Sequence, residues 1–179
     1  MSMDQMEADL NILIEISSGR GLLIGDVKSS DPYVVVTMGK FGEVHKTKHI
    51  SKTLNPEWGP EHKSTFILNV PSFKLVDSDG LTFTVKDYDM LSTDEDLGTV
   101  QLSVGDVMTK GSMDIMLERK ITPPAESAGK DAGYLTIRIR KATPEDAQSL
   151  AKGEKKRLFA IKTGVFDGDG KKGVHDMMV

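Results

Sequence analysis

The chain has 179 residues, 38% hydrophobic and 6% aromatic, with a net charge of −4 and no cysteine. Those values suit one ordinary domain with a tail, and exclude disulfides, thiolate metal sites and the basic footprint of a nucleic-acid binder. The start MSMDQMEADLNILIEI lacks a signal-peptide pattern and no apolar run nears the roughly 20 residues of a membrane span, so the expectation is a cytoplasmic protein that meets a membrane only at its surface.

In chain order, Leu10, Ile12, Ile14 and Ile16 set a period of two and hence a strand. Tyr33 to Met38 is a β-branched run between Asp-Pro and Gly39. Val44 to Ile50 is polar and basic but extended in character. Alternation returns at Phe66–Val70, Leu81–Val85, Val100–Val104, Met113–Leu117 and Leu135–Ile139. Eight strands in about 130 residues, divided by turn signals and without helical periods between them, predict an all-β antiparallel sandwich. Helix fits near Asp106–Thr109 and again in the tail. There Thr143 can cap, Pro144 suits the first helical position, and Glu145 and Asp146 favour the positive helix end. The expected division is a domain over residues 8–141 and a tail over 142–179, with a helix at about 144–152, a basic run at Lys152–Arg157 and a flexible end. VFDGDGKKGVHDMMV fails as an EF-hand loop, because Lys171, Lys172 and Met178 fall where oxygen, glycine and glutamate are needed.

The charge is unevenly placed. Residues 142–179 hold 7 Lys/Arg and 6 Asp/Glu, whereas residues 1–141 hold 16 and 21. The acids gather in two loops, LLIGDVKSSDPYV with Asp26 and Asp31, and VKDYDMLSTDEDLG with Asp87, Asp89, Asp94, Glu95 and Asp96. Loops at one end of a sandwich converge. Two unit charges roughly 4 Å apart repel by about 1 kcal/mol in water and about 4 kcal/mol at an effective dielectric near 20. A hard divalent cation reverses that sign, and Ca2+ takes 6–8 oxygens in flexible geometry, which clustered aspartates and carbonyls supply.

GRGLLIGDVKSSDPYVVV, then KTKHISKTLNPEW, then FTVKDYDMLSTDEDLG, occur in an order that resembles the C2 domain, an eight-stranded sandwich that binds calcium and phospholipid. The resemblance covers about residues 8–141. With LNILIEISSGRGL at the start and GYLTIRIR at the end, the order looks like the second, phospholipase-C-like topology. The resemblance implies that Asp26 and Asp31 of the first loop, and Asp87 and Asp89 of the third, hold two or three Ca2+ ions, with the carbonyl of Tyr88 and the hydroxyl of Ser92 as further ligands. The family's last aspartate falls on Glu95, a departure, and the flanking Asp94 and Asp96 are alternatives for the fifth carboxylate.

Met90 and Leu91, with Val27 of the first loop, are then the tips that touch lipid. Burying such side chains is worth roughly 1.5–3 kcal/mol each if complete. A second lipid contact is read on VHKTKHISK, where Lys46, Lys48 and Lys52 are in phase along an extended segment and a lysine-rich face resembles a phosphoinositide site. The expected function is calcium-dependent binding to anionic phospholipid membranes, with phosphatidylserine and phosphoinositides as candidate lipids. The alternative is a calcium-independent adaptor that binds a protein partner through the sandwich face or the tail. The enzyme reading is set aside, since no Ser–His–Asp order, phosphate loop or histidine metal cluster appears.

Overall fold

The computed structural model describes residues 11–25, 28–69, 80–111, 113–156, 158, 164–168 and 171–175. Two sheets pack face to face. One contains β1 (Asn11–Arg20), β4 (Thr65–Asn69), β7 (Ile115–Lys120) and β8 (Tyr134–Lys141), ordered β7-β8-β1-β4. The other contains β2 (Pro32–Met38), β3 (Glu43–Lys46), β5 (Leu81–Asp87) and β6 (Glu95–Leu102), ordered β3-β2-β5-β6. All pairings within these two sets of four are antiparallel. The expected eight-stranded sandwich is therefore the structure.

Alternation explains the core. Ile12, Ile14 and Ile16 of β1 and Leu135, Ile137 and Ile139 of β8 meet Val34 and Val36 of β2 and Leu81, Phe83 and Val85 of β5, all buried. Each pleat turns alternate residues inward, so a strand with one apolar face can bury only that face. Trp58 packs into the same core. A helix, α1 (Val104–Gly111), joins β6 to β7 and buries Val107.

The tail is clasped to the outer face of the first sheet. Leu13 points away from the core, between Ile12 and Ile14, yet is fully buried. Its cross-strand partner on β8 is Arg140. The Arg140 guanidinium donates to both oxygens of Asp146, at 2.7 and 3.0 Å, and to the carbonyl of Leu158 at 2.8 Å. Asp146 lies in α2 (Pro144–Ala151), where Thr143 caps: its Oγ1 accepts from the Asp146 N–H, and Asp146 Oδ2 accepts from the Thr143 N–H. Burial pushes the Asp146 carboxyl up, but Arg140 and Thr143 together hold it below the ordinary carboxylate value. Asp146→Ala should cost about 2 kcal/mol in urea unfolding, through the lost cap and the stranded guanidinium. The depressed carboxyl stabilises the fold above its unfolded pKa of about 3.9 and ceases to do so as pH falls through the folded value. An unchanged midpoint would show that the clasp contributes nothing to stability.

The end of the tail differs from expectation. In place of a flexible terminus, Gly164–Gly168 (β9) and Lys171–His175 (β10) form a hairpin. β9 runs parallel to β7, from Ile115↔Val165 to Glu118↔Gly168, and extends the sheet to β10-β9-β7-β8-β1-β4. Asp169-Gly170 between the strands is the residue pair that favours a two-residue hairpin turn. Such a short hairpin needs a neighbouring edge for stability, and β7 provides it.

Candidate functional site

The pairing of β2 with β5 builds the acidic end. Pro32 is opposite Asp87, so Asp31, one residue earlier, meets the last residue of β5. The Asp31 N–H donates to Asp87 Oδ1 at 2.7 Å, and the Tyr88 N–H donates to the Asp31 carbonyl at 3.0 Å. Asp31 Oδ1 in turn accepts the Lys52 N–H at 2.7 Å. Ser30, fully buried, ties the first loop: its Oγ accepts from the Gly25 N–H and donates to the Leu23 carbonyl, both at 2.8 Å. At Gly25 a Cβ would fall 2.0 Å from Asp87 Oδ2, so only glycine lets this loop close over the carboxylate. Asp26 and Val27 lie outside the described residues.

The third loop is a connection between Asp87 and Glu95, which face each other across β5 and β6. Its turn is held by Asp89, whose Oδ1 accepts the Leu91 and Ser92 N–H groups at 2.8 and 3.3 Å. Ser92 Oγ donates to Asp89 Oδ2 at 2.5 Å. Those bonds, the Ser92 hydroxyl first, hold the exposed Asp89 carboxyl below its usual value. Met90 and Leu91 stand out at the tip, 80% and 93% exposed. Ile24 of the first loop, 54% exposed, lines one shallow cavity with Asp94 and Glu95 and was not singled out by sequence reasoning.

The three candidates for a fifth carboxylate separate by geometry. Asp94 accepts the Tyr33 hydroxyl on one oxygen and the Asp89 N–H on the other at 2.9 Å. The Tyr33 bond first, then the Asp89 N–H, with lesser help from Lys86 and Lys46, holds the Asp94 carboxyl below its ordinary value. The Tyr33 hydroxyl is pushed above its ordinary range by burial and then by Asp94. Asp96 pairs with Lys86 Nζ at 2.9 Å. Glu95 and Asp96 begin strand β6 rather than lying in a loop. Cross-strand partners share a face, so Glu95 lies on the Asp87 side. Tyr33 was expected only as a strand residue; nothing in a period of two marks a hydroxyl that reaches an acid 61 residues later.

The lysine segment departs from expectation. β3 stops at Lys46, so Lys48 and Lys52 are not strand residues. The reason is Thr47, which is buried and gives its Oγ1 to the Val34 N–H at 2.9 Å, while the Lys48 N–H turns to the carbonyl of His62. Lys52 has a left-handed backbone, φ 54°, and its N–H serves Asp31. Lys46 Nζ lies 5.3 Å from the Tyr33 ring centroid, and the Tyr88 ring stacks on His49 at 4.1 Å. Lys46, Lys48, His49, Lys63, Tyr33 and Tyr88 line a common groove of about 440 Å³.

His45 stacks on Phe66 at 4.7 Å, and its Nε2 lies 2.6 Å from the Lys63 carbonyl, as a donor. Burial, the leading cause, lowers its pKa. Its NMR titration midpoint should therefore lie below about 6.5. A histidine with a depressed folded pKa stabilises the fold above its unfolded value and loses that contribution as pH falls through the folded one. Unfolding free energy should decline over that interval, and less so in His45→Gln; a midpoint above about 6.5 would contradict the burial.

The donors fit a hard cation in kind: carboxylates and carbonyls, no sulfur, and a glycine that lets backbone approach Asp87. Among the described residues alone, no three acidic or histidine side chains form a group able to hold a metal ion. Among them, too, no helix is long and apolar enough to cross a membrane.

Comparison with known proteins agrees with this architecture. A C2 domain profile matches residues 11–118. Protein C2-DOMAIN ABA-RELATED 4 of Arabidopsis thaliana is 38% identical over 91 residues, 51% of this chain and 46% of that protein. Tricalbin-1 of Saccharomyces cerevisiae is 31% identical over 152 residues, 83% of this chain and 12% of that protein. The chain spans about half the length of the Arabidopsis relatives it matches. Among solved structures, a C2 domain of plant Extended Synaptotagmin 1 superposes with a TM-score of 0.56 at 20% identity, covering 75% of this chain and 95% of that one. A calcium-bound tandem of C2 domains from Extended-Synaptotagmin 2 superposes with a TM-score of 0.55 at 19% identity, covering 81% and 50%. With its profile match and the eight-stranded antiparallel sandwich at its centre, the chain belongs to the C2 domain family.

Proposed function

We propose that this protein binds anionic phospholipid membranes in response to calcium, from the cytoplasm. The observation that carries the reading is the contact of the Asp31 backbone with Asp87 at one end of the sandwich, in the loop region that continues through Asp89 to the exposed Met90 and Leu91. Asp26, by its place in the first loop, completes the acidic set. Glu95 is the fifth carboxylate, because Asp94 is committed to Tyr33 and Asp96 to Lys86. Ser92 acts mainly by fixing Asp89, and the Tyr88 carbonyl remains a candidate ligand. Two or three Ca2+ ions, when bound, supply the positive charge that turns a lipid-repelling end into one that attracts phosphate. The carboxylates position that charge, and Met90, Leu91, Ile24 and Val27 provide apolar contact.

The groove at Lys46 and Lys48 adds a second contact for phosphatidylserine or a phosphoinositide, at about 1 kcal/mol per basic residue near an anionic leaflet. Membership of the C2 domain family, whose sandwiches bind calcium and phospholipid, supports both the membrane role and the ion. The connectivity is read as phospholipase-C-like, because the first strand lies between β8 and β4.

Sedimentation with phosphatidylserine vesicles tests the reading. The protein should pellet in micromolar to millimolar calcium and stay in solution in chelator. Pelleting that ignores calcium would move the weight to Lys46 and Lys48, and no pelleting in any condition would overturn the membrane role.

A further inference from the structure

On the side of the sandwich where β3 and β4 end their sheets, the tail forms one wall of a groove of about 430 Å³. Ile67, Leu150, Leu158 and Pro60 give it apolar lining, and four lysines, Lys48, Lys63, Lys155 and Lys156, outnumber Glu61 and Glu154 around it. Lys156 pairs with Glu154 at 3.0 Å, while Lys48, Lys63 and Lys155 have no ion pair among the described residues. The outer wall is fixed in place, because Arg140 holds both α2 and the Leu158 carbonyl.

The floor contains an open strand edge. The Ile16 N–H donates to the Ser64 carbonyl, and β1 and β4 continue in register from Glu15↔Thr65 to Asn11↔Asn69. Antiparallel ladders alternate bonded and non-bonded pairs. Ser64, Phe66 and Leu68 therefore direct their backbone groups at β1, and Thr65 and Ile67 direct theirs outward. β4 ends its sheet, and the outward backbone groups of Thr65 and Ile67 have no partner among the described residues. Both residues line the groove.

We propose that this groove binds an extended acidic peptide of a partner protein, taken up as an added strand against β4. Main-chain groups at Thr65 and Ile67 pair with the peptide backbone, Leu150 and Leu158 take apolar side chains, and the lysines take carboxylates. Strand addition draws affinity from backbone bonds and specificity from alternate side-chain positions. An acyl chain would fill the apolar part but leave the edge donors and acceptors unpaired, which favours a peptide. The interaction is independent of the acidic loops and of calcium.

The test uses the full chain in chelator with a fluorescein-labelled heptapeptide of alternating valine and glutamate. Fluorescence anisotropy should show saturable binding, about tenfold weaker for Lys63→Glu/Lys155→Glu, both exposed positions. The same peptide methylated on the backbone nitrogens that would face β4 should also bind about tenfold more weakly, though its charge and side chains are kept. Hydrogen exchange at the Thr65 and Ile67 amides should slow when the unmodified peptide is bound. Absence of binding, equal binding of the methylated peptide, or unprotected Thr65 and Ile67 amides would each overturn strand addition. Pelleting with phosphatidylserine vesicles in chelator that Lys63→Glu/Lys155→Glu abolishes, without peptide binding, would overturn it in favour of a lipid site.

Discussion

Asp87→Asn/Asp89→Asn abolishes calcium-dependent pelleting with phosphatidylserine vesicles and leaves the fold intact. Both substitutions keep the Oδ1 acceptor, and at Asp89 the amide NH2 that replaces Oδ2 can donate to Ser92 Oγ in place of accepting from it. Asp87 Oδ1 accepts the Asp31 N–H and Asp89 Oδ1 accepts the Leu91 N–H, and an asparagine carbonyl can do the same. Two like charges leave an acidic end, so stability in chelator stays level or rises slightly. Calcium separates wild type from variant. A ligand that binds only the folded state stabilises it by about 2.7 kcal/mol at a hundred times its Kd, so the wild-type melting temperature should climb with calcium. Having lost two of the hard anionic donors, the variant should not respond in the same range. Loss of pelleting together with a lowered melting temperature in chelator would mean a damaged fold. A variant that still melts higher in calcium would remove Asp87 and Asp89 from the proposed ion site.

What the sequence showed and what it hid follow from the range of each interaction. The eight sandwich strands were legible because one apolar face per strand imposes a period of two, visible within five or six residues at Ile12–Ile16 or Leu81–Val85. Asp31 and Asp87 were legible as a pair through the resemblance, and the register Pro32↔Asp87 brings them together. Lys48 and Lys52 misled for a related reason: exposed–buried–exposed alternation does persist across Lys46, Thr47 and Lys48, but Thr47 receives the Val34 N–H on its side chain, so the segment stays beside β2 without continuing as a regular strand. The hairpin at Gly164–Gly168 and Lys171–His175 had only a turn signal, because its stability comes from β7, some 50 residues away. Tyr33–Asp94 and Arg140–Asp146 are side-chain pairings, and side-chain pairing has no period to read.

Tyr33 also changes how the acidic cluster is understood. Five acids in one short loop look interchangeable in sequence. In the fold four of them have their own restraint: Asp87 against the first loop, Asp89 inside its own turn, Asp94 on a tyrosine, Asp96 on a lysine. Glu95 alone combines a position opposite Asp87 with no such partner among the described residues.

Met90→Ser/Leu91→Ser weakens vesicle affinity about thirtyfold while calcium binding and stability persist. At 80% and 93% exposure the two side chains contribute little to the folded core, and surface substitutions of this kind usually change stability by about 0.5 kcal/mol or less. The apolar area matters only when a membrane covers it. Full burial would be worth roughly 1.5–3 kcal/mol for each side chain. Shallow insertion that realises about half of this gives roughly 2 kcal/mol for the pair, and every 1.4 kcal/mol is a factor of ten in affinity. The loop conformation should survive, because the Asp89 turn uses the Leu91 N–H, not its side chain. The calcium-induced rise in melting temperature should thus be unaltered, whereas pelleting should need far more lipid. Unchanged lipid demand would show that Met90 and Leu91 stay in water, leaving an ion bridge to phosphate as the whole of the membrane contact.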